Sequence, residues 1–160
     1  MKKLIRSFGF AGSGVLHCLL HERHFRIHIV AAVYVLAFAS GFSLTRVEWA
    51  VLLLTVGLVP AAEAINTAVE RAVDLGASFP HPLAKIAKDS AAGAVLICAV
   101  TAVVVGVVLF ARPAEIAALF CALWQTRWKL VLTILSVPAA FLFVFAFGKE
   151  EKITPTKGIS

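Results

Sequence analysis

Four stretches of this 160-residue chain carry almost no charge: 29–45, 47–62, 90–111 and 130–148, interrupted only by Glu48. A bilayer's hydrocarbon core is about 30 Å thick and takes roughly 20 apolar residues in a helix, so each stretch is a candidate crossing. With 61% hydrophobic and 15% charged residues and a mean hydropathy of +0.94, the chain fits no soluble, disordered or fibrous class. Fifteen Lys and Arg against nine Asp and Glu leave a charge of +6. In a membrane protein that excess belongs to cytoplasmic loops and anionic lipid; no basic run interleaved with aromatics points to nucleic acid. Cys18, Cys98 and Cys121 form no CxxC pair and are expected to be reduced and structural. Met1-Lys2-Lys3 could open a signal sequence, but Arg6, three glycines and His17 break up the apolar segment a signal would need, and no small-residue cleavage site is evident.

Residues 2–24 have a different pattern. At 100° per residue Leu4, Ile5, Phe8, Ala11, Val15, Leu16 and Leu19 share one face, and Lys3, Arg6, Ser13, His17 and His21 lie opposite, as in a helix lying along the membrane surface. Such a helix either anchors the chain or helps to bind substrate. The expected architecture is an all-α integral membrane protein. Its first part, 1–112, holds the surface helix and three core spans near 28–45, 47–75 and 90–111. Its second, 113–160, holds an interfacial segment, a fourth span at 130–148 and a polar tail. Arg23 and Arg26 precede the first span, Arg71, Lys85 and Lys88 lie between the second and third, and Lys149, Lys152 and Lys157 close the chain. Those regions, with the N-terminus, should be cytoplasmic. The segment 112–129 fits this rule poorly, because Arg112, Arg127 and Lys129 would lie outside.

The stretch 60–74 concentrates the chemistry. On a helix continuing from the second span, Glu63, Asn66, Glu70 and Asp74 recur at intervals of three, four and four and form one stripe. Carboxylates so close repel one another unless a cation or shared proton relieves them, and Glu and Asn oxygens suit Mg²⁺. Glu63 should lie near the cytoplasmic edge of the hydrocarbon, where partial desolvation suits a carboxylate to act as a general base. Asp74 alone reads better as part of a solvated face.

Lys85 and Lys88 precede the third span, with Asp89 or Ser90 available as its N-cap, and a helix start beside two lysines favours phosphate. Lysines before a span are also ordinary topology signals. No GxxxxGK[ST] or GxGxxG occurs. Glu22, within Glu22-Arg-His-Phe-Arg-Ile-His28, is level with the acidic stripe and can join the same metal site. His17, His21, His24 and His28 recur at helical spacing, but no carboxylate or cysteine completes a closed zinc site.

Three segments in this order, 22–28, 62–70 with Asp74, and 81–95, resemble the prokaryotic diacylglycerol kinase family, and within it the undecaprenol kinase branch, over roughly residues 3–112. The resemblance implies a homotrimeric membrane kinase, with sites shared between subunits, that moves the ATP γ-phosphate to a lipid alcohol, undecaprenol or diacylglycerol. It implies Glu63 as general base, Glu22 and Glu70 as ligands of Mg²⁺ carried with ATP, and Asn66 as an orienting residue. It also implies nucleotide contacts from Lys88, Asp89, His81, Lys3 and Phe10, in a bacterial cytoplasmic membrane. The chain departs from the family at His24, where Asn is usual, at Ser78-Phe79-Pro80, and in residues 113–160, which extend beyond the short family form. Two other classes compete: a small cation transporter, which would hold its carboxylates nearer the midplane, and a silent membrane scaffold.

Overall fold

A computed structural model describes residues 2–76 and 81–146, and the tail lysines and Ser78-Phe79-Pro80 lie outside them. The described residues form six helices and no strand: α1 Lys2–His21, α2 Arg23–Ala39, α3 Arg46–Gly76, α4 Pro82–Phe110, α5 Pro113–Gln125 and α6 Arg127–Ala146. Three of these, α3, α4 and α6, are long and apolar enough to cross a membrane, and the protein is a multi-pass membrane protein. At 1.5 Å per residue, α3 with its 31 residues is about 46 Å long and overshoots a bilayer core by about half that core's thickness. That overshoot carries the acidic stripe.

Helix α3 packs against α4, α2 against α3, and α6 against α2 on its other side, while α1 touches α2 and α3. The core is thin, centred on Ala39, Leu52 and Leu109 with Val35, Leu36, Trp49 and Val105 around them. Most large apolar side chains point outward, among them Leu54 at 75% and Val108 at 72% exposure. In water this would cost the fold its stability; in a bilayer those faces meet hydrocarbon. The apolar face of α1 is likewise open, with Leu4, Ile5, Phe8, Val15 and Leu16 all exposed.

Several boundaries differ from the sequence expectation, each for a local reason. The surface helix ends at His21 rather than residue 24, and Glu22 forms an extended break before α2. Helix α2 stops at Ala39, not residue 45. Past it, Ser40 Oγ donates to the Ala37 carbonyl, the Ser43 amide donates to Glu115, and the Phe38, Phe42 and Phe110 rings meet tilted or edge to face with centroids 4.9–5.2 Å apart. Thr45 and Glu48 then cap α3 reciprocally: the Glu48 amide donates to Thr45 Oγ1 at 3.3 Å and the Thr45 amide to Glu48 Oε2 at 2.7 Å. Helix α4 begins eight residues before the expected start at 90. His81, not Asp89 or Ser90, is its N-cap, accepting from the Leu83 amide at 3.2 Å, and Pro82 occupies the first helical position. Lys85 and Lys88 therefore stand inside the first two turns rather than ahead of the helix.

The awkward charge at Arg112 is also explained. Its guanidinium donates to Glu48, to Glu115 at 3.3 Å and to the Ser43 carbonyl at 3.4 Å, so two carboxylates neutralise it. This cluster and the seat of Leu119 on Gly41, where a Cβ would meet Leu119 at 2.5 Å, join α5 to the core at one end of the bundle. The acidic stripe lies at the opposite end.

Candidate functional site

Helix α3 delivers three residues of the stripe at different depths. Glu63 is buried at 7% exposure, Asn66 at 8%, and Glu70 is half-buried. Among the described residues none donates a hydrogen bond or an ion pair to the Glu63 carboxylate. Asn66 Nδ2 donates to Glu70 Oε1 at 3.0 Å, while Asn66 Oδ1 is buried without a partner. An orphaned acceptor of that kind costs roughly 1–3 kcal/mol and is satisfied when a donor or cation arrives.

The extended backbone at Glu22 sends its side chain across to α3 instead of capping α2. Arg71 Nη2 donates to Glu22 Oε1 at 2.9 Å, which brings Glu22 to the same end of α3 as Glu70. Both partners are partly exposed, so the pair contributes about 1 kcal/mol or less. Lys88 Nζ meets Asp74 Oδ1 at 2.6 Å and binds the start of α4 to the end of the stripe. Buried beside this site is Cys18, whose carbonyl accepts from the Glu22 amide at 2.9 Å. Burial pushes its thiol up from the ordinary range, the negative charge of Glu22 adds to this, and Glu63 contributes further.

The structure thus brings Glu22, Glu63, Asn66, Glu70 and Lys88 to one end of the bundle. Asp89 is exposed at that end, and His81 is occupied as the α4 cap. Lys3 and Phe10 are exposed on α1, where Phe10 faces Arg6 at 5.9 Å, and neither makes a described contact with the stripe. Two residues escape the sequence reading of the site, Arg71 as the partner of Glu22 and Cys18, while Asp74 stands on the expected stripe and only its pairing with Lys88 is new. Only the Asp74 position on the stripe was a usable signal.

No three His, Cys, Asp or Glu side chains among the described residues converge on a metal position. Mg²⁺ brought in with a polyphosphate needs one or two carboxylates and fills its shell with phosphate oxygens and water. Glu22, tied to Arg71, and Glu70, tied to Asn66, would be the carboxylates to hold it, and Asn66 Oδ1 is an oxygen buried without a partner. The donor set therefore fits.

Comparison with known proteins gives a consistent result. The profile of the family described as prokaryotic diacylglycerol kinase matches residues 9–110, ending where α4 ends. The chain is 39% identical over 110 residues to the undecaprenol kinase of Bacillus subtilis, covering 69% of this chain and 89% of that protein. It is 48% identical over 112 residues to the diacylglycerol kinase of Synechocystis, covering 69% of this chain and 63% of that longer protein. To the diacylglycerol kinase of Escherichia coli K12 it is 30% identical over 107 residues, 67% of this chain and 88% of that one.

Proposed function

The chain belongs to the prokaryotic diacylglycerol kinase family and is a membrane lipid kinase, and from that premise we propose that it transfers the γ-phosphate of ATP to undecaprenol. The product is undecaprenyl phosphate. The observation that carries the chemistry is Glu63, a buried carboxylate with no donor among the described residues, one turn from the Asn66–Glu70 pair. Glu63 takes the proton of the lipid hydroxyl as its oxygen attacks the γ-phosphorus, and ADP leaves.

Glu22 and Glu70 would hold Mg²⁺, which when bound neutralises phosphate charge and helps to orient ATP. Asn66 orients Glu70, and Lys88 exchanges Asp74 for a phosphate oxygen. Asp89 and His81 lie at the same end for nucleotide contacts, and Lys3 and Phe10 reach ATP from α1. The enzyme works as a homotrimer in a bacterial cytoplasmic membrane, with the site on the cytoplasmic side. Support for that orientation comes from Arg23, Arg26, Arg71, Lys85 and Lys88, which gather at the site end, whereas Arg112 at the other end is neutralised.

Undecaprenol is supported by the 39% identity to an undecaprenol kinase, above the 30% to the Escherichia coli diacylglycerol kinase matched over a similar share of its length. Diacylglycerol is the second reading, favoured by the 48% identity to a diacylglycerol kinase. Membranes holding the protein, given γ-labelled ATP and both lipids together, decide between them. Label in undecaprenyl phosphate supports the first reading, and label in phosphatidic acid replaces it with the second.

A further inference from the structure

Arg26 is 3% exposed and, among the described residues, forms no ion pair with a carboxylate. A guanidinium stays charged, and burying it costs several kcal/mol unless its N–H groups are met. Here they are met by carbonyls from two other helices. Arg26 Nη1 donates to Leu20 O at 2.9 Å and to Leu19 O at 3.2 Å, and Nε donates to Val144 O at 3.2 Å. Leu19 and Leu20 belong to the last turn of α1, and Val144 to the last described turn of α6. The Leu19 and Leu20 carbonyls stand at the C-terminal end of α1, where they lack partners within their own helix and carry its negative dipole end, and the Val144 carbonyl brings α6 to the same cation.

A second contact repeats the arrangement. Arg23, also in the first turn of α2, stands over the Phe145 ring at 5.5 Å, and Val144 beside it is buried. Between the two arginines and the site lies Glu22. Its amide donates to Cys18 O in α1, and its carbonyl accepts from the Arg26 amide at 3.2 Å. Moving either helix end therefore moves Glu22 relative to Arg71 and α3.

Helix α6 lies wholly outside the 9–110 region shared with the family. We propose that α6 is nevertheless a working part of the nucleotide site: Arg26 is a positioning residue through which the last turn of α6 holds the α1 end and seats Glu22. The functional side of this rests on the reading of Glu22 as a ligand of the metal carried with ATP; the seating itself rests on the contacts alone.

The test uses the full chain in bilayer nanodiscs, with Val144→Gly and Phe145→Ala loosening the α6 side and Arg26→Lys the junction. Arg26→Gln is added where it folds. Two readouts are followed: KM for Mg-ATP against kcat, and the alkylation rate of Cys18 in a background with Cys98 and Cys121 replaced by Ser. Val144→Gly and Arg26→Lys should each raise KM by about threefold or more with a smaller change in kcat, and speed alkylation comparably. Added to Glu22→Gln, they should raise KM no further, because they act through Glu22. Unchanged KM and unchanged Cys18 labelling, or losses that multiply in the Glu22→Gln background, overturn the proposal. If Glu22→Gln alone leaves KM unchanged, the ligand reading fails instead; Cys18 labelling then decides the seating, faster in Val144→Gly supporting it and unchanged overturning it.

Discussion

Arg71 reaches back 49 residues along the chain to hold Glu22 at 2.9 Å, an ion pair that links the break between α1 and α2 to the acidic stripe of α3. It is the same carboxylate that a metal bound with ATP would use, so Arg71 and the metal compete for it. Arg71→Gln should lower stability by less than about 1 kcal/mol, as partly exposed pairs do. It should also reduce the Mg²⁺ needed for half-maximal activity by about threefold, the equivalent of a weak pair released. A Mg²⁺ titration of activity checks this; a higher requirement would mean that Arg71 orients Glu22 rather than competing for it.

Glu70→Gln tests the other carboxylate. Asn66 Nδ2 donates to Glu70 Oε1, and a Gln side chain keeps the size and an acceptor oxygen but loses the charge. Mg-ATP affinity should fall by about tenfold or more, the loss of one charge-assisted contact, while thermal stability changes little. Equilibrium binding of Mg-ATP at unchanged affinity would remove Glu70 from the metal site.

Cys18 provides a pH-dependent signal. Burial and the charges of Glu22 and Glu63 raise its pKa, which leaves less thiolate at any given pH than in the unfolded chain. In a variant holding only this cysteine, maleimide labelling should be slow at neutral pH and still climbing above the ordinary thiol range. Rapid labelling at neutral pH in the folded protein would contradict both the burial and the shift.

Arg112 gives the opposite kind of prediction, at the far end of the bundle. Arg112→Gln leaves Glu48 and Glu115 without their shared cation and should lower the unfolding temperature. KM for Mg-ATP should not change, because the cluster makes no described contact with the stripe. Thermal unfolding alongside nucleotide kinetics separates the two effects.

Much of the architecture is legible in the chain itself. The uncharged runs locate α3, α4 and α6, and the spacing of Glu63, Asn66 and Glu70 puts them on one stripe, because helical periodicity depends only on local geometry. The start of α4 at Pro82 escapes a reading that follows the uncharged run, although the capping chemistry of His81-Pro82 makes a good helix opening. For the same reason the Thr45–Glu48 capping box goes unseen and the first span extends past Ala39. Arg26 shows a deeper limit. Its acceptors are backbone carbonyls, one of them 118 residues away, and no side-chain pattern encodes a contact to a carbonyl.

The central claim, that Glu63 is the base of a lipid kinase, is tested most directly by Glu63→Gln assayed for two properties in the same membranes. These are transfer of label from γ-labelled ATP to undecaprenol and diacylglycerol, and binding of Mg-ATP. The account predicts that lipid labelling falls by at least about a hundredfold, the range for a lost general base, while Mg-ATP binding is retained. Labelling at the unsubstituted rate would contradict it.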